Sequence, residues 1–319
     1  MRRLLLTCST LGLLCSPSLY AQDLKVVSTM KPITMIVQEL TQGVTSTETL
    51  LPAGASPHDY ALRPSDARKL NDADLVIWVG PELERFLTKI LEDKENVLTL
   101  TEQDSIHFRH YGEAHDEHAG HDHDDHGHDD HAGHDHDDHD HHGHSHDGID
   151  PHLWLGPEQA VQAAQVITDK LVALDPAHKD KFEANLVNFI DEVKTAMVAI
   201  EQTLTPVVDR GYFVFHDGYG YFEEQFGLNN LGHFTVEPDR RPGAKTLISI
   251  RNSLKDQHAH CVFSEPQFSP AVVDSVVRGT GVNIGTLDPM GTDIAYGDGS
   301  YVEFLQTLGN SFSQCLKSE

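Results

Sequence analysis

The chain has 319 residues, with 50 Asp and Glu against 23 Lys and Arg and a formal charge of -27. That length suits two domains, each large enough for its own core, and the negative field repels nucleic-acid phosphates, which excludes phosphate-backbone binding. Beyond the first twenty positions no apolar run approaches the roughly 18 residues that a membrane-spanning helix needs. The unusual count is 23 His, most of them in one tract at residues 107–146.

Residues 1–21 join Arg2 and Arg3 to an apolar stretch at 4–14 and end on Ala21, the pattern of a secretory signal peptide. Leu14 precedes Cys15 where lipid attachment needs a small residue, which argues against a lipoprotein. Cys8 and Cys15 leave with that segment, and an exported chain with two remaining cysteines, Cys261 and Cys315, is expected to pair them. Two thiolate metal ligands are the alternative, weakened because neither has a second cysteine nearby.

From residue 24 onward, short apolar runs alternate with helical periodicity. Strands are expected at 25–28, 45–51, 75–79 and 97–100, and helices at 31–41, 63–72 and 82–92. Continuous apolar strands such as Leu-Val-Ile-Trp-Val at 75–79 indicate a parallel sheet covered on both faces. A helix at 157–174 and a long one at 177–204 follow, the second longer than an ordinary globular helix and so expected to link two lobes. Strands then recur at 212–215, 231–236, 261–264 and 283–287, with helices at 219–226, 245–257, 270–278 and 301–316. The expected fold is α/β: two lobes, each with a mostly parallel four-stranded sheet flanked by helices, joined by one long helix, with a ligand site in the cleft. The expected division is 22–175 for the first lobe, 176–206 for the linking helix and 207–319 for the second lobe.

The tract at 107–146 is rich in His, Asp and Glu, with Phe108, Tyr111 and three alanines as its only apolar residues. It cannot bury enough surface to offset its ordering entropy, so it is expected to be a disordered loop that binds a borderline metal such as zinc weakly at many interchangeable sites. A merely solvated linker is the plainer alternative, but a linker has no need of so much imidazole. Three isolated histidines have a different setting. His58 lies in Ser-Pro-His-Asp-Tyr after the second strand, His152 in Asp-Pro-His-Leu-Trp-Leu past the tract, and His216 ends the strand Tyr-Phe-Val-Phe. Each alone is more often a core or capping histidine. Together with Asp288, they share the edge where open α/β sheets hold ligands.

In these motifs the chain resembles the metal-binding class of solute-binding proteins, and within it the periplasmic zinc-binding components of ABC transporters for high-affinity zinc uptake. The resemblance rests on Leu-Leu-Pro-Ala-Gly-Ala-Ser-Pro-His58-Asp-Tyr, Ala-Asp-Leu-Val-Ile-Trp-Val-Gly, the charged His-rich insertion, His152-Leu-Trp-Leu, Phe-Val-Phe-His216-Asp-Gly-Tyr-Gly-Tyr-Phe and Thr-Leu-Asp288-Pro-Met-Gly. It covers essentially the whole chain after the signal peptide. It implies His58, His152 and His216 as ligands of Zn2+, a two-lobed fold with a rigid linking helix, and a disulfide in the second lobe. It also implies a periplasmic monomer that works with a membrane permease and, through it, an ATPase. Some relatives have Glu immediately before the first ligand histidine. Here that position is Pro57, so the fourth position goes to Asp288 or to water.

Three nitrogens suit zinc better than manganese, which prefers more oxygen, while copper is favoured by raw affinity. Asp59, Asp217 and Glu237 are the carboxylates expected to orient the imidazoles, with ordinary capping as the alternative for each. A zinc hydrolase is the competing class, since three histidines with an open position can generate hydroxide. No His-Glu-x-x-His supports it. A stand-alone metal buffer would need the tract but not two folded lobes. The chain is therefore expected not to be an enzyme.

Overall fold

The computed structural model describes residues 24–111, 148–236, 238, 242–256 and 259–317. The expected signal peptide, Glu237 and the His-rich tract beyond Tyr111 lie outside the described residues. The first half contains β1 (Val26–Ser28), α1 (Lys31–Leu40), β2 (Thr47–Thr49), α2 (Pro64–Asp72), β3 (Leu75–Trp78), α3 (Thr88–Leu91), β4 (Val97–Thr99) and α4 (Pro157–Leu174). The long helix α5 (Lys179–Leu204) follows. The second half contains β5 (Tyr212–His216), α6 (Gly220–Phe226), β6 (Asn230–Thr235), α7 (Ala244–Asp256), β7 (Cys261–Ser264), α8 (Ala271–Val277), β8 (Asn283–Thr286) and α9 (Ser300–Lys317).

The strands form two four-stranded sheets, ordered β2-β1-β3-β4 and β6-β5-β7-β8, and every pairing is parallel. The expectation of mostly parallel sheets therefore sharpens to wholly parallel ones with the same strand order in each half. Period-two alternation explains their burial. Val26, Leu75 and Ile77 join the central core, while Val27, Val76 and Trp78 face a separate outer cluster with Leu70 and Leu87. Phe213, Phe215 and Val262 do the same for the second sheet, against Ile250 and Leu254 of α7.

The central core runs without interruption through both halves. Met30, Ile33 and Ile36 from α1 and its entry, Phe189 and Val193 from α5, and Tyr301, Phe304 and Phe312 from α9 belong to one cluster. Polar bonds reinforce it: Lys31 Nζ donates to the carbonyl oxygens of Thr292 (2.8 Å) and Ile294 (2.5 Å), and Trp154 Nε1 donates to that of Pro289 (2.8 Å). Cys261 and Cys315 form a disulfide joining β7 to α9.

Three local expectations need correction. The helix expected at 82–92 is a turn, a 3-10 segment Arg85–Leu87 and the single turn α3. Glu84 has a non-helical backbone (φ -101°, ψ 55°), with its side chain folded back to accept the backbone N–H of Val79 at 2.8 Å. The linking helix opens with a 3-10 turn, Pro176–His178, before α5 begins. Residues 107–111, expected to belong to a disordered loop, are held in place: His107 N–H donates to Gln162 Oε1 (2.8 Å), and His110 bridges Ile149 antiparallel. Composition marked these residues as part of the tract, but Phe108, Arg109 and Tyr111 each find packing or ionic partners.

Candidate metal centre

His58, His152 and His216 converge at the carboxyl edges of the two sheets, with one ring nitrogen from each within 4.8 Å of the others. Local sequence sets each position. His58 follows β2 in a loop stiffened by Pro57, and its backbone N–H donates to Ser56 Oγ at 3.2 Å. His152 enters the 3-10 turn Leu153–Leu155, and its ring lies 5.2 Å from that of Trp154. His216 is the last residue of β5. The ring centroids are 4.7 to 5.3 Å apart. Nε2 of His58 and Nε2 of His152 are 3.3 Å apart, about the separation of two ligands on a tetrahedral ion with bonds near 2.05 Å.

Carboxylates stand behind two of the rings. Asp150, fully buried, accepts His152 Nδ1 at 2.8 Å and the His152 backbone N–H at 3.0 Å through Oδ1. This leaves Nε2 as the free nitrogen facing the other rings. Burial alone would raise the Asp150 pKa, but the hydrogen bonds from His152 and the charges of His152 and Arg109 hold it below the ordinary carboxylate value. Behind His216, Glu265 Oε1 is 3.5 Å from Nδ1. Burial pushes the Glu265 carboxyl up to about 8, against the opposing effect of the Tyr219 hydroxyl. Burial also drives His58 and His216 well below the ordinary imidazole value, and mutual repulsion among the three rings adds to the effect on His58. Both rings are therefore neutral near pH 7, the form that coordinates metal.

Space and unpaired groups agree with a small cation. The cavity holds about 10 Å³ between the histidines, Pro57, Trp154, Phe268, Pro289 and Met290, room for one ion or one water and none for an organic substrate. Both nitrogens of His216 are buried with no hydrogen-bond partner among the described residues, a costly state that an ion on Nε2 relieves for that nitrogen. Gly218 closes the roof. A Cβ there would stand 2.9 Å from His216 Cε1 and 3.2 Å from His152 Nε2, so any larger residue crowds the rings.

The remaining sequence expectations divide. The Asp288 carboxylate is engaged elsewhere, accepting Gln267 Nε2 (2.7 Å) and the backbone N–H groups of Met290 (3.0 Å) and Thr292 (2.5 Å). It is not within the histidine cluster. Asp59 is exposed, and Asp217 faces His233 at 3.4 Å rather than any of the three rings. Glu237 lies outside the described residues. The supporting carboxylates are instead Asp150 and Glu265, which sequence reasoning passed over. A signal existed for each: Asp150 sits two residues before His152, and Glu265 sits at the carboxyl end of β7, where parallel sheets place ligand-facing groups.

The profile of the family described as zinc-uptake complex component A, periplasmic (ZnuA), matches residues 26–315. The high-affinity zinc uptake system protein ZnuA of Yersinia pestis is 46% identical over 307 residues, covering 92% of this chain and 91% of that protein. Its counterpart in Haemophilus ducreyi is 45% identical, covering 91% and 93%. A solved structure of a ZnuA deletion mutant with zinc bound shares the fold at a TM-score of 0.73 and 21% identity, covering 93% of this chain and 100% of that one. These relatives are binding components of zinc uptake, not enzymes. The chain belongs to the ZnuA family of zinc-uptake components.

Proposed function

We propose that this protein captures Zn2+ in the periplasm on His58, His152 and His216 and delivers it to the permease of an ABC transporter, whose ATPase supplies the energy. The observation that carries the reading is three imidazole nitrogens within 4.8 Å, backed by buried Asp150 and Glu265, around a cavity that fits one ion. Buried imidazoles give a borderline dication strong nitrogen ligands. Asp150 fixes the tautomer of His152, and the apolar wall of Trp154, Phe268 and Met290 limits access by competing water. Water completes the coordination while Asp288 keeps its three hydrogen bonds. Selectivity against manganese follows from a protein ligand set made of nitrogens alone.

The signal peptide at 1–21 directs export, and the protein acts as a monomer. The lobes are divided at 22–175 and 207–319, with 176–206 linking them. Because one core runs through both lobes, capture proceeds with local adjustment at the site rather than wide closure. The His-rich tract catches ions loosely and raises local supply. Replacing His58, His152 or His216 singly by Ala tests the reading. Each change is expected to weaken stoichiometric zinc binding by orders of magnitude and to abolish growth on scarce zinc. Three single variants that each hold one zinc as tightly as the parent would refute it.

A further inference from the structure

Residues 107–111 and 148–152 run side by side, with Tyr111 N–H donating to the Gly148 carbonyl (3.0 Å) and Asp150 N–H to that of Arg109 (2.8 Å). Arg109 points from this ribbon across to the second lobe. Its Nη1 donates to Asp150 Oδ2 at 2.7 Å, and its Nε donates to Glu224 Oε1 of α6 at 2.6 Å. Tyr221, also on α6, completes the junction: its hydroxyl accepts the Arg109 backbone N–H (3.0 Å) and donates to the Asp150 carbonyl (2.7 Å), and the guanidinium lies 5.7 Å from its ring centroid. Gly220 makes the room, since a Cβ there would collide with the guanidinium.

The two ends of this junction lie next to metal ligands of both lobes. Asp150 orients His152 in the first lobe, and α6 begins four residues after His216 in the second. We propose that Arg109 is a positioning residue for metal capture, tying Asp150, and through it His152, to α6, so that it fixes the separation between the ligands of the two lobes. The inference rests on the histidine reading above. Only an arginine fits this role, because the planar fork reaches two carboxylates in different directions at once, whereas a lysine presents a single point charge. The Asp150 arm is buried and resists salt, while the Glu224 arm is exposed and is screened.

The test uses the full chain carrying Arg109→Ala, Arg109→Lys or Gly220→Ala, the last displacing the guanidinium without changing any charge. Zinc release into excess chelator is followed by stopped flow, and the visible absorption of the Co2+-loaded protein reports the ligand geometry. Arg109→Ala is expected to release zinc about tenfold faster and to shift the Co2+ bands, with Gly220→Ala reproducing both effects and Arg109→Lys recovering part of the rate. Release rates and Co2+ spectra equal to the parent in Arg109→Ala and Gly220→Ala, with only the melting temperature lowered, would overturn the proposal and leave Arg109 a purely structural bond. Zinc titration of the parent and of His152→Ala is run alongside. Unweakened binding in His152→Ala would remove the site reading, and the Arg109 proposal with it, whatever the Arg109 variants do.

Discussion

Asp150→Ala is the most informative change outside the histidines. It removes the acceptor of the 2.8 Å bond from His152 Nδ1 and the partner of Arg109 Nη1. That bond, the imidazole ring and a nitrogen–metal bond of about 2.1 Å put the carboxylate roughly 7 Å from a bound ion. At an effective dielectric near 20, a negative charge there attracts a dication by about 5 kcal/mol. Arg109, paired with the same carboxylate, cancels much of that field, and the ordering of the ring is the part that survives. The expected loss is therefore the usual about 10- to 100-fold for a group that orients a metal-bound histidine, or about 1.4 to 2.8 kcal/mol. Asp150→Asn keeps an acceptor for Nδ1 and is expected at the lower end, with Ala at the upper. Competition calorimetry against a chelator at fixed pH measures both, with circular dichroism confirming the fold. An affinity for Asp150→Ala within twofold of the parent would refute the argument that the ring must be held from behind.

Asp288→Ala is expected to weaken zinc binding less than any histidine change, because its carboxylate serves Gln267, Met290 and Thr292 rather than the ring cluster. A loss equal to that of His58→Ala in the same titration would make Asp288 an obligatory ligand. Reduction of Cys261–Cys315 is expected to cost about 4 kcal/mol of stability from loop-closure entropy while zinc stays bound, since neither sulfur belongs to the histidine cluster. Thermal melts with and without reductant, alongside a zinc assay, check this, and metal release on mild reduction would contradict it. Glu265 titrates at about 8 without metal, so it holds a proton at pH 7. A dication on the neighbouring His216 favours the carboxylate, so loading at pH 7 is expected to release a proton. That release should fade as pH rises above 8, where Glu265 is already ionised, and should vanish in Glu265→Gln. Calorimetry in buffers of different ionisation enthalpy counts the protons, and a count that is the same at pH 7 and 9 would exclude Glu265 as their source.

Much of the architecture is legible in the sequence because buried parallel strands have a strong local signature. Leu-Val-Ile-Trp and Cys-Val-Phe-Ser stand out as short apolar runs between helical periods, and β3 and β7 lie where those runs are. The convergence of His58, His152 and His216 was visible as a shared topological position and in the family motifs around each, since their spacing of 94 and 64 residues carries no local metal motif. What escaped were long-range pairings that leave no periodic trace. Arg109 is ordered by Asp150 and Glu224, 41 and 115 residues away. The unbroken core was hidden for the same reason, because α1 and α9 each show an apolar face and neither shows that the two share it.

An anomalous-scattering map of crystals of the full chain loaded with zinc would locate the ion and its donors together. One strong peak is expected about 2.0 to 2.1 Å from Nε2 of His58, His152 and His216, with Asp150 still on Nδ1 of His152 and Asp288 still bonded to Met290 and Thr292. A principal peak elsewhere, or one coordinated by Asp288 in place of any of the three histidines, would contradict the three-histidine site.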